Sequence, residues 1–137
     1  MTEASARPPQ GGLAETVLVV EPEVLVRAMV SHYLRECGYR VVEAVSAEEA
    51  LVILQNSDMP VSVMLCTVQL PGAMNGFGLA KWLRGNLPNT EVILATNETQ
   101  SAKVAGELCE EGPMLTKPYD HKLLADRIKR LLASRAR

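Results

Sequence analysis

The sequence has no apolar stretch of bilayer length: runs such as Val17 to Val20 are far shorter than the roughly 20 residues a membrane helix requires. It also lacks an excess of either charge, with 14 Lys and Arg against 16 Asp and Glu and a net charge of −2. Nothing global therefore favours nucleic acid or an anionic membrane as a partner. The first fifteen residues, rich in Pro, Gly and small polar side chains, have no apolar core of the kind a secretory signal carries. A mobile tail over 1–14 and a cytoplasmic protein are expected. Only three cysteines occur, Cys37, Cys66 and Cys109, and none form a Cys-x-x-Cys pair. That spacing argues against a zinc site or a disulfide framework and leads to an expectation of reduced thiols.

What is present suits a folded domain. Hydrophobic residues make up 47% of the 137 and charged residues 22%, enough apolar material for one core and too much for a disordered chain. Thr16-Val-Leu-Val-Val20 reads as a strand, and Glu23 to Cys37 follows with Val26, Met29, Val30, Tyr33 and Leu34 at helical spacing. Gly38 ends that helix, Tyr39 to Glu43 is again strand-like, and Ser46-Ala-Glu-Glu49 is a capping box opening a second helix. Val61 to Thr67 is a nearly continuous apolar run, as expected of a central strand covered on both faces. A helix from about Phe77 to Arg84, a strand Glu91 to Thr96 and a helix Thr99 to Glu110 come next, then a short strand Gly112 to Thr116 and a last helix Asp120 to Ala133.

Five strands alternating with five helices imply an α/β fold with a doubly wound parallel sheet over 15–134, leaving 135–137 as a C-terminal tail. Such sheets place function in the crevice beyond the carboxyl ends of the strands. The residues that fall there are Glu21, Pro22, Thr67, Thr96 and Lys117.

These residues carry a resemblance. Val-Val-Glu-Pro-Glu-Val-Leu-Val-Arg after the first strand, Thr67-Val-Gln-Leu-Pro-Gly after the third, Ala95-Thr96 ending the fourth and Leu115-Thr-Lys-Pro-Tyr119 around the fifth together resemble the response-regulator receiver family. The resemblance implies the flavodoxin-like receiver fold of two-component phosphorelays. In that family an acidic pair after the first strand binds a divalent cation, an aspartate ending the third accepts phosphate, a Thr or Ser ends the fourth, and a Lys ends the fifth. Position by position, Glu21 takes the first acidic place but Pro22 the second, and Thr67 stands where the phosphoacceptor aspartate belongs. Thr96 and Lys117 match, and Met114 occupies the usual aromatic switch position.

The chemistry that follows is subtractive. Mg²⁺ prefers carboxylate oxygens in octahedral array, and one Glu with a loop carbonyl supplies weak binding at most, so no metal and no cofactor is expected. A threonine hydroxyl needs a general base where an ionised carboxylate does not, and Asp58, Asp120 and Asp126 fall in the loop before the third strand and in the last helix, where none can substitute. Each residue also has a plainer reading: Glu21 as a carboxylate at a helix start or a partner of Lys117, Pro22 as a first-turn proline, Thr67 as a packed, hydrogen-bonded strand hydroxyl, Cys66 as a small core residue.

The expected function is a stand-alone pseudo-receiver, not an enzyme, acting through protein partners without aspartyl phosphorylation. A histidine kinase, a phosphotransferase, another response regulator or a second copy of the chain are the candidates, with neither nucleic acid nor membrane among them. The resemblance places the partner surface at about Thr99 to Arg130, and no effector domain is expected beyond Arg137. Lys122, Arg127, Lys129, Arg130, Arg135 and Arg137 give the last helix a basic face, read first as solvated surface. The alternative is a small nucleotide- or flavin-binding protein or enzyme on the same topology. It is opposed by a Glu-Pro-Glu loop where a glycine-rich phosphate cradle would be needed, and by His32 and His121 lying away from the crevice.

Overall fold

The computed structural model describes residues 15–56, 58–110 and 130. Among them, strands β1 (Thr16–Val20), β2 (Arg40–Ala44), β3 (Val63–Thr67) and β4 (Glu91–Ala95) alternate with helices α1 (Val24–Glu36), α2 (Ala47–Leu54), α3 (Gly76–Asn86) and α4 (Glu98–Glu110). The strands are all parallel, in the order β2-β1-β3-β4. Four strands and four helices thus stand where the sequence predicts five of each. The fifth strand lies outside the described residues, and of the last helix only Arg130 is described, helical and exposed.

Period-two alternation along β1 and β3 divides the interior in two. Val17, Val19, Val63 and Leu65 face α1 and α4, whereas Leu18, Val20, Met64 and Cys66 face α2 and α3. All five residues of β1 are buried, as a strand covered on both faces requires. α4 therefore shares the layer of α1, with Ala102, Ala105 and Leu108 packed in one cluster with Val26, Val30 and Leu34.

Local chemistry sets where the helices start and stop. The Glu23 carboxylate accepts from the Leu25 N–H at 3.3 Å and caps α1, so Pro22 precedes the cap and does not occupy the first turn as predicted. At the other end Gly38 takes φ +100°, a left-handed value that favours glycine. Ser46 Oγ accepts from Glu49 N–H at 3.2 Å as the capping box predicts, while Glu49 Oε1 accepts from Val45 N–H at 2.9 Å, one residue before the cap. β3 begins two residues later than expected, yet Ser62 N–H already donates to Thr16 O at 2.9 Å.

The cysteine reading requires a correction. Cys37 at the end of α1 and Cys109 in the last turn of α4 form a disulfide across 72 residues, with Cα atoms 5.3 Å apart. An odd count and wide spacing describe separation along the chain only. Packing α4 on α1 brings both thiols into one buried seam. Cys66 remains a free, buried thiol on the opposite face of the sheet, in the core role expected of it.

Candidate functional site

The strand register assembles the site. Val20 pairs with Cys66 and Thr67 with Ala95, so Glu21, Thr67 and Thr96 are brought side by side where three neighbouring strands end. They line a cavity of about 470 Å³ with Pro22, Gln69 and Glu98 among the other walls. A larger cavity of about 750 Å³ lies at the opposite end of the strands, where Glu15, Ser62 and Glu91 line it, and touches none of these residues. Lys117 and Met114 lie outside the described residues, as does the expected pairing of Lys117 with Glu21.

Glu21 is half-buried. Its Oε2 accepts from Glu23 N–H at 3.0 Å, and its backbone N–H donates to Ala44 O at 2.9 Å. The carboxylate thus sits at the start of α1, in agreement with its plainer reading. Burial pushes its pKa above the ordinary value, and the neighbouring Glu23 and Glu98 carboxylates push the same way, against the hydrogen bond from Glu23 and the charge of Arg27. The Arg27 guanidinium donates to the Glu21 backbone oxygen at 2.9 Å and pairs with Glu43 at 3.2 Å. Arg35 holds the other Glu43 oxygen at 3.0 Å, tying α1 to β2 beside the crevice.

Thr67 is half-buried at the end of β3, and its carbonyl lies 3.2 Å from the Cys66 thiol. One candidate partner for its hydroxyl, Lys117, lies outside the described residues. The backbone behind it is tightly closed: Gly76 N–H donates to Val68 O at 2.8 Å, and a Cβ at Gly76 would lie 2.8 Å from Val68 Cα and against the Thr67 carbonyl. Thr96 is exposed and committed elsewhere. Gln100 Oε1 accepts both its N–H, at 2.6 Å, and its hydroxyl, at 2.9 Å. Asn97 Oδ1 accepts from Gln100 N–H at 2.8 Å, so Asn97 and Gln100 cap α4 as Ser46 and Glu49 cap α2. The sequence reading missed this pair, although Asn97-Glu-Thr-Gln100 carries the capping-box spacing.

Among the described residues no group of three His, Cys, Asp or Glu side chains is placed to hold a metal ion, and the donor set at the crevice does not fit Mg²⁺. Pro22 offers no side-chain oxygen, one Glu21 oxygen is already an acceptor, and burial disfavours its ionised form. Three carboxylates on the cavity wall, Glu21, Glu23 and Glu98, also make it a poor seat for an anion. His32 is exposed on α1, 3.3 Å from Glu36 and away from the crevice. Cys66 is buried and its pKa is raised to about 12 by burial and the Glu21 charge, so it is no nucleophile at neutral pH.

A four-stranded parallel sheet with helices on both faces and an acidic crevice at the strand ends defines a flavodoxin-like receiver fold. Solved receiver domains agree: one from Clostridium thermocellum is 21% identical, with a TM-score of 0.57 over 89% of this chain and 97% of its own. Residues 17–129 match the response regulator receiver domain family, and the chain belongs to it. The chemotaxis protein CheY4 of Vibrio cholerae is 28% identical, with a TM-score of 0.55 over 85% of this chain and 98% of its own. Among curated relatives, a probable transcriptional regulatory protein of Picosynechococcus is 32% identical over 85% of this chain and 48% of its own length. A cyclic di-GMP phosphodiesterase of Thermotoga maritima is 30% identical over 88% of this chain and 32% of its own. The chain spans about half or less of the length of these curated relatives.

Proposed function

We propose that this receiver domain signals by protein contact from the cytoplasm without aspartyl phosphorylation and without catalysis. The observation that carries the reading is Thr67 at the end of β3, beside Glu21 and flanked by a Thr96 hydroxyl already bound to Gln100. An acyl phosphate requires a carboxylate nucleophile, and no side chain lining the crevice combines that group with the position of Thr67. The acidic wall likewise weighs against a nucleotide or flavin phosphate.

Partner contact is supported by a related complex, in which a response regulator is bound to the histidine kinase ThkA; the match is 27% identical with a TM-score of 0.55 over 60% of this chain and 68% of that one. Here Val24 and Phe77, 52% and 59% exposed in the first turns of α1 and α3, present apolar surface beside the crevice. α4 contributes only Thr99, Gln100, Lys103 and Glu107 as exposed side chains, because the rest of its described surface is packed inward. Incubation with acetyl phosphate and Mg²⁺ followed by intact mass measurement tests the reading. An unchanged mass is expected, and a phosphoryl adduct overturns it.

A further inference from the structure

We propose that Cys37 and Cys109 are a reversible redox pair, and that their oxidation state sets how firmly α4 is held on α1 and thereby the wall of the strand-end crevice. The two sulfurs close the far end of the α1–α4 seam, fully buried at 0% and 1% exposure. The near end of α4 forms the crevice: Glu98 lines it, with its neighbour Asn97, and Ser101 shares a small void with Glu21 and Thr67. Ser101 and Cys109 are eight residues apart on one helix, about 12 Å along its axis. A rigid helix spans that distance, so a tether at one end constrains the other.

Among the described residues, small side chains dominate the face by which α4 is held. Its buried stripe is mostly small, with Ser101, Ala102, Ala105 and Gly106 beside the larger Val104 and Leu108. Beyond these contacts, the Tyr39 hydroxyl donates to Leu108 O at 2.5 Å and the Cys109 sulfur lies 3.9 Å from Tyr33 O. Among the described residues the disulfide adds to these contacts the one covalent tie between α4 and α1. The third cysteine cannot compete, since Cys66 lies on the other face of the sheet with its pKa raised to about 12.

The oxidant this chemistry requires is a small-molecule disulfide such as oxidised glutathione. When α4 opens, one protein thiolate attacks a glutathione sulfur, forming a mixed disulfide and expelling glutathione thiolate, which takes up the proton released. The second cysteine, losing its proton, attacks the protein sulfur and expels the second glutathione. Two protein thiols are oxidised and one glutathione disulfide is reduced to two thiols. The reverse sequence opens the link, and neither direction depends on whether Thr67 is phosphorylated.

The test uses the full chain equilibrated across a series of reduced-to-oxidised glutathione ratios, quenched in acid, alkylated in denaturant and weighed intact. We expect alkylated thiols to pass reversibly from three to one as the ratio falls, with peptide mapping joining Cys37 to Cys109. Hydrogen exchange on the two end states should show the amides of α4 slowed about tenfold on oxidation and those of α3, on the opposite face, slowed less. Cys109→Ala should abolish the response of α4 to glutathione. A thiol count that never changes, a link involving Cys66, or equal slowing of α3 and α4 overturns the proposal. If Cys109→Ala does not fold, the wild-type titration and exchange decide alone.

Discussion

Gln100 holds Thr96 at two atoms at once, accepting the backbone N–H at 2.6 Å and the hydroxyl at 2.9 Å through a single oxygen. A hydroxyl used in this way closes the end of β4 and starts α4, which is a structural task. Gln100→Ala frees it and removes one reciprocal arm of the cap. The expected cost is about 1 kcal/mol, read from urea unfolding, with the loss of exchange protection concentrated in the first turn of α4.

Beryllofluoride with Mg²⁺ should leave the amide shifts of Glu21, Thr67 and Thr96 unchanged, because a ligand without differential affinity shifts no population. Metal alone at about 10 mM should add no more than a few tenths of a kcal/mol, as for a Kd near that concentration. Pro22→Asp together with Thr67→Asp should create a response that neither substitution produces singly. A response in the unmodified protein would mean that Glu21 and the loop carbonyls form a competent site.

Glu21 predicts the sign of a pH effect. Its folded pKa is raised, chiefly by burial, so the folded state binds this proton more tightly than the unfolded chain does. The contribution to stability is greatest below the unfolded value and is lost as pH rises through the folded one. Glu21→Gln should therefore raise Tm at pH 7 while keeping an oxygen for Glu23 N–H, and the gain should vanish at low pH, where Glu21 is itself protonated. A gain that persists unchanged in acid would place the effect outside this titration.

Gly76 and Gly85 form a matched pair of tests on α3. A methyl at Gly76 meets the Val68 backbone at 2.8 Å, and backbone cannot rotate away, so Gly76→Ala should cost about 1–3 kcal/mol. Nothing lies within 4 Å of a Cβ at Gly85, and Gly85→Ala should stabilise the helix by up to about 1 kcal/mol. Denaturant midpoints measure both. Equal effects would show that space behind Thr67 is not what demands glycine.

Replacing Val24 and Phe77 by Asp examines the partner face. Both are exposed, so stability should change by no more than about 0.5 kcal/mol for each substitution. Capture of a partner from a native cell extract by the immobilised chain should be lost. Unimpaired capture would move the contact away from this rim.

Strands and helices were legible because each depends on neighbours in the chain: the β-branched run at Thr16 to Val20, the Ser46 and Glu49 cap, and the stop at Gly38 are local chemistry. The strand-end residues Glu21, Thr67 and Thr96 were legible for the same reason, since a parallel sheet collects whatever follows its strands. Their hydrogen bonds were not: Thr96 is taken by Gln100, and which way a hydroxyl turns depends on its surroundings in space. The Cys37–Cys109 link lay still further from reach. Seventy-two residues separate the two sulfurs along the chain, and only the packing of α4 onto α1, driven by burial of Ala102, Ala105 and Leu108, brings them together.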